Sequence, residues 1–148
     1  MITYQEEDPE SFLLSAVPML EVHHAESNML EGVPFDPDYE AYKRAYDAGF
    51  LLCVTCRDSE DIVGFAVFLI TPNLYSKKHV IAVEDMYYVQ PEYRKGFIAI
   101  KILKFAENLL ALRGVTTISI GCKAHSDQTR LYERLGYRYT EKHFSKLV

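Results

Sequence analysis

Long apolar runs are missing from this 148-residue chain. The longest, Ile62 to Ile70, is broken by Gly64 and falls far short of the roughly 20 residues that a membrane-spanning helix needs. Basic residues are missing from the first ten positions, where Glu6, Glu7, Asp8 and Glu10 stand instead, the reverse of the charged start of a secretory signal. The expectation is a cytoplasmic protein with no membrane partner. Internal repeats, low-complexity tracts and Gly/Ser linkers are also absent, so one domain is expected over residues 1–148. Cysteine is scarce: Cys53, Cys56 and Cys122 cannot pair completely. The Cys53/Cys56 spacing invites a zinc or redox reading. Phe50 to Thr55 is strand-forming, however, positions i and i+3 of a strand face opposite ways, and no second ligand pair exists. Buried structural thiols and no metal site are therefore expected.

What is present is enough apolar material for a core, 49% of residues with 25% charged, which excludes a disordered chain. Net charge is −5, unevenly spread. Residues 1–49 hold eleven Asp/Glu against Lys43 and Arg44, a balance of −9, and the remainder carries ten acids against fourteen bases, a balance of +4. An acidic front and a basic back permit an anion at the C-terminal half and a cation at the N-terminal half. Solvated acidic helix faces produce the same split. The split and the acidic overall balance argue against a nucleic-acid-binding surface spanning the molecule, so no nucleic-acid partner is expected.

Along the chain the pattern predicts a mixed α/β (α+β) sheet in the order β-α-α-β-β-β-α-β-α-β. A strand at Ile2 to Gln5 precedes a helix over Pro9 to Ala25, where Asp8-Pro9 supplies a cap and a first-position proline and Pro18 a kink or early break. A loop over Glu26 to Pro37 leads to a helix over Asp38 to Asp47 with Tyr39, Tyr42 and Tyr46 on one face. Strands over Phe50 to Arg57 and Ile62 to Thr71 form a hairpin, and His79 to Val89 is the next strand. A long amphipathic helix from Ile98 closes at Arg113-Gly114. Val115 to Gly121 reads as a strand, Ser126 or Asp127 caps a short helix through Leu135, and Tyr137 to Leu147 reads as a last strand.

The most informative segment is Tyr88-Val89-Gln90-Pro91-Glu92-Tyr93-Arg94-Lys95-Gly96-Phe97-Ile98-Ala99. A strand enters a short loop with two bases and a glycine, then a helix whose first N–H groups and positive dipole end favour an anion. A solvated basic turn would read the same way. The segment is neither a Walker loop nor a Gly-x-Gly-x-x-Gly fingerprint.

This topology, with Val89-x-Pro91-x-Tyr93-Arg94 and Leu131-Tyr132-Glu133-Arg134-Leu135-Gly136-Tyr137, resembles the GNAT superfamily of acetyl-CoA-dependent N-acetyltransferases over essentially the whole chain. The second motif is similar to the family's Leu-Tyr-Glu-Lys-Leu-Gly-Phe. The resemblance implies acetyl-CoA as co-substrate, its pyrophosphate held by an Arg/Gln-x-x-Gly-x-Gly/Ala loop that falls on Arg94, Lys95, Gly96, Phe97, Ile98 and Ala99. Phe97 replaces the central glycine and Gly96 lies one place earlier, so either the loop uses Gly96 in a shifted geometry or the cradle is looser. His125 stands where an asparagine often precedes the last helix, as a loop residue or a contact to pantetheine or acceptor. A seventh strand would come from Phe144 to Val148, be missing, or come from a partner in a homodimer.

An alkylammonium, with a pKa near ~10, must lose a proton before it attacks a thioester. Glu84 and Asp85 are the candidate bases, acting directly or through water, with ordinary strand-edge charges as the alternative reading, and strand alternation places only one in the cleft. The resemblance implies backbone N–H groups around Tyr88 and Val89 for the oxyanion, and Tyr132 as the acid for the leaving thiolate, with a core tyrosine satisfied by a hydrogen bond as the alternative. His23 and His24 are read as exposed helix residues, with lining of the acceptor cleft as the alternative. The three helix tyrosines are read as packing, with an amine cage as the alternative. The function expected is direct acetyl transfer to a primary amine, cationic if the charge split is functional. The rival is a non-catalytic acyl-CoA-binding or interaction domain.

Overall fold

The computed structural model describes every residue except Met29. Its elements are β1 (Ile2–Glu6), α1 (Pro9–Ser15), α2 (Val17–Ser27), α3 (Tyr39–Asp47), β2 (Leu51–Asp58), β3 (Asp61–Pro72), β4 (Val80–Val89), a 3-10 turn (Pro91–Tyr93), α4 (Ile98–Leu112), β5 (Thr117–Ser119) and α5 (Thr129–Arg134). The sheet runs β1-β2-β3-β4-β5, antiparallel as far as β4 and parallel between β4 and β5.

Period-two alternation divides the core into two layers. On one face of the sheet Leu52, Val54 and Cys56 of β2 and Ala66, Phe68 and Ile70 of β3 pack on Ile102, Leu103, Ala106 and Leu110 of α4. On the other, Leu51 and Cys53 with Phe65 and Val67 pack on Phe12, Leu13, Ala16 and Leu20 of α1 and α2. Cys53 and Cys56 thus lie on opposite faces, both buried, as the strand reading requires. Cys122 is exposed, contrary to the expectation of a buried thiol, because it lies in the irregular segment beyond β5.

Three boundaries depart from the sequence reading. The helix expected over Pro9 to Ala25 is two helices, broken at Ala16 (φ −103°, ψ 9°), since Pro18 has no N–H to continue the ladder and serves the first turn of α2 instead. The strand expected over Val115 to Gly121 narrows to Thr117–Ser119. No strand follows α5 among the described residues, although Tyr137 to Leu147 was expected to form one. Tyr137 packs at the edge of the core, but beyond it the segment is highly polar and its apolar members Tyr139, Phe144 and Leu147 are exposed, so alternation there has no layer to bury against. The observed order is accordingly β-α-α-α-β-β-β-α-β-α.

Candidate active site

The site begins where pairing ends. β4 and β5 are in register only at Ile81/Thr117, Ala82/Ile118 and Val83/Ser119, and beyond that point the two strands part. A cavity of ≈ 240 Å3 lies there, closed by the end of α2 on one side and by Tyr132 of α5 on the other.

A bulge sets which carboxylate enters it. In the β3–β4 ladder Val67 pairs with Met86 and Phe68 with Glu84, so Asp85 has no cross-strand partner. The extra residue shifts the alternation: Glu84 lines the cavity at the splay, and Asp85 lines a second cavity with Met86 on the opposite face. Only one of the two carboxylates is in the cleft, as alternation requires.

Glu84 and Tyr132 converge on one residue, Gly121, from its two flanking peptide units. The Gly121 N–H donates to Glu84 Oε2 at 3.3 Å, and the Tyr132 hydroxyl donates to the Gly121 carbonyl at 2.9 Å. Burial pushes the Glu84 carboxyl up to about 7, with the Gly121 N–H and Lys123 pulling the other way. Burial, then the neighbouring Glu84, raises Tyr132 well above the ordinary phenol value, so it carries its proton at neutral pH. His23 of α2 is pushed down to about 4, first by burial and then by Lys123, and stands edge-on to Phe65 and Tyr88 at 5.8 Å each.

The Gln90 N–H reaches back to the Val63 carbonyl on the β3 side (2.9 Å). By alternation the Val89 N–H and C=O face the open side, where the Val89 carbonyl accepts from Arg94 Nε at 2.7 Å. The Tyr88 N–H faces β3. Of the two backbone groups named for an oxyanion, Val89 is therefore the one aimed into the cleft.

Arg94 is held on three sides. Besides Val89, its guanidinium donates to Glu26 Oε2 of α2 at 2.9 Å and lies 5.2 Å from the centroid of the Tyr88 ring. The loop behind it is built for close backbone approach: Gly96 has φ +105°, and a Cβ there would meet nothing within 4 Å. Phe97 is the N-cap of α4 with no side-chain cap, which leaves the first N–H groups of this 15-residue helix to an anion. A diphosphate fits this donor set.

Of the residues singled out from sequence, Glu84, Tyr88, Val89, Arg94, Ala99 and Tyr132 share the first cavity. Lys95, Gly96, Phe97 and Ile98 lie outside its walls, in the loop and the first turn of α4. His125 is also outside, its Nε2 2.5 Å from the Glu26 carbonyl. His23 and His24, read as exposed, are half-buried, and both line cavities. Tyr39 and Tyr46 pack on the core as read, whereas Tyr42 also donates to Asp85 Oδ2 at 2.5 Å. Sequence reasoning missed Glu26, Ser27, Gly121 and Lys123, whose roles come from contacts across the fold. No three His, Cys, Asp or Glu side chains gather as metal ligands among the described residues, and none of the described helices is long and apolar enough to cross a membrane.

No curated protein matches the chain in sequence. Its fold is similar to an aminoglycoside acetyltransferase, HMB0005, from an uncultured soil metagenomic sample (18% identity, TM-score 0.78, covering 100% of this chain and 99% of that one). It is similar also to a ribosomal-protein-alanine N-acetyltransferase from Brucella melitensis biovar Abortus 2308 (15% identity, TM-score 0.74, covering 100% and 99%). A third likeness is to a predicted acetyltransferase with acetyl-CoA from Clostridium acetobutylicum (15% identity, TM-score 0.71, covering 99% and 96%). A family model described as acetyltransferase (GNAT) family matches residues 18–137, the stretch that carries the first cavity, all of the second but Leu13, the loop at Arg94 and the Tyr132 motif, and the chain therefore belongs to the GNAT family of acetyltransferases.

Proposed function

We propose that residues 1–148 form a single N-acetyltransferase domain that moves an acetyl group from acetyl-CoA to a primary amine by direct attack, in the cytoplasm. The observation that carries this reading is the pairing of Glu84 and Tyr132 on Gly121 at the mouth of the parted strands. Acetyl-CoA supplies the activated thioester. Arg94, the Gly96 turn and the free N–H groups of α4 are the donors for its diphosphate, and Arg94 must exchange Glu26 for phosphate to serve.

The chain's own groups then divide the proton work. Glu84, near its midpoint at neutral pH, removes a proton from the ammonium. The freed nitrogen forms the C–N bond, and the Val89 N–H receives the negative charge that builds on the acetyl oxygen. As the C–S bond breaks, Tyr132 gives its proton to the departing sulfur and is recharged through the solvent-open cleft. The nitrogen's second proton leaves to water.

Cys53 and Cys56 are buried in the core layers, which supports direct transfer over an acyl-enzyme on either of them; Cys122 lines the first cavity and is the one thiol a Cys122→Ser variant must clear of that role. A second reading, acyl-CoA binding without turnover, draws on Phe97 in the loop and on the Glu26–Arg94 pair. Calorimetry with acetyl-CoA beside thiol release over an amine panel separates them: binding with turnover supports the enzyme, and binding with no turnover across the panel supports the second reading.

A further inference from the structure

The two cavities adjoin at the open edge of β4. The second, ≈ 340 Å3, lies on the face opposite Glu84, among α1, α2, α3 and the loop that joins α2 to α3. His23, Ser27 and Lys123 line both, so one ligand can pass around the strand edge from the second cavity to the first. Much of the second cavity's wall is apolar, with Leu13, Leu20, Phe35 and Met86, and Phe35 stands edge-on to His24 at 5.7 Å.

Against this wall stand two carboxylates, Asp36 and Asp85. Asp85 is the bulged residue, released from cross-strand pairing, and the Tyr42 hydroxyl engages its Oδ2 and so orients Oδ1. Lys123 at the junction is the opposing charge, and the His23 and His24 imidazoles complete the titratable groups that face the space.

We propose that the acceptor is a small diamine: one amine at Glu84 in the first cavity, an apolar spacer along Phe35 and Met86, and a second ammonium on Asp85. This rests on the acetyltransferase reading of the first cavity. The placement of two carboxylates in the second cavity favours an ammonium there. A carboxylate in the second cavity would meet Asp36 and Asp85, and an alkyl monoamine would make no use of the Oδ1 that Tyr42 leaves open. The reaction balances as above, a C–N bond replacing C–S, and the second ammonium emerges unchanged.

The test uses 1,4-diaminobutane, butylamine and 4-aminobutyrate as matched acceptors at saturating acetyl-CoA. The diamine is expected to exceed butylamine in kcat/KM by about 10- to 100-fold, the worth of one charge-assisted hydrogen bond, with 4-aminobutyrate poorest. Asp85→Asn collapses the diamine-to-monoamine ratio toward one. Equal rates for the three acceptors, or a ratio that Asp85→Asn leaves intact, overturn the proposal while leaving acetyl transfer standing. Calorimetry of the wild-type protein with the same three amines is independent of turnover. Tighter diamine binding with no thiol release from any amine would refute the acetyltransferase reading yet keep the Asp85 anchor, and no preference among the amines would remove the anchor.

Discussion

Glu84 and Asp85 are neighbours in the chain with the same functional group, and the fold gives them opposite lives. Glu84 faces the enclosed side, where burial pushes its carboxyl up to about 7. Asp85 is exposed on the other face and is met by the Tyr42 hydroxyl. Strand alternation puts the two carboxylates on opposite faces, and the bulge that follows keeps Asp85 beside Met86 in the second cavity. Burial and backbone geometry, rather than residue type, give the two carboxylates their different surroundings.

The strongest way to break this contrast is to remove the Glu84 charge. Glu84→Gln is expected to lower kcat by about 10²- to 10³-fold, the usual worth of a positioned base, whereas Asp85→Asn acts mainly on acceptor KM. Steady-state thiol release with each variant reads the difference directly. Next comes Tyr132→Phe, expected to cost about 10²-fold in kcat with acetyl-CoA affinity by calorimetry unchanged within about threefold. An unaffected kcat would remove Tyr132 from the mechanism.

Stability separates the same two residues with the opposite sign. The Glu84 pKa is raised on folding, so its protonated form is the favoured one. Its contribution is full below about pH 4.5 and is lost as pH rises toward about 7. Glu84→Gln therefore stabilises the protein at pH 8 by about 2 kcal/mol, an increase of roughly 4–8 °C in Tm, and Asp85→Asn changes it by less than about 0.5 kcal/mol. Thermal melts at pH 5 and pH 8 distinguish the two, the gain at Glu84 appearing only at the higher pH.

Smaller effects concern the loop. Arg94→Ala should weaken acetyl-CoA binding about tenfold, because a charge-assisted donor to phosphate is lost. Glu26→Gln should tighten it about two- to fivefold, since an exposed ion pair is worth little but no longer has to be broken. Calorimetric titration of both variants decides whether Glu26 competes with the diphosphate for Arg94.

Much of this was legible in sequence where the signal is local. The loop from Tyr88 to Ala99 and the Leu131 to Tyr137 motif are contiguous, so the basic turn, the helix start and Tyr132 could be read from residue order alone. Pro18 announced the break between α1 and α2. The bulge at Asp85 could not be read, because it is a property of the pairing with β3 and nothing in Val83 to Met86 marks it. Nor could Glu26 as the partner of Arg94, 68 residues away, or Gly121 as the bridge between Glu84 and Tyr132. The expected last strand failed for a related reason: spacing at Tyr137 and Tyr139 matches a strand, but a strand also needs a neighbour, and none lies beside it among the described residues.

Removal of the amine proton by Glu84 is tested most directly by the pH dependence of kcat at saturating amine and acetyl-CoA. The wild-type rate should rise tenfold per pH unit below about 7 and level off above it, as the Glu84 carboxyl ionises, and Glu84→Gln should lose that limb along with most of its rate. A Glu84→Gln enzyme that kept the same rising limb at the same pH would contradict the assignment.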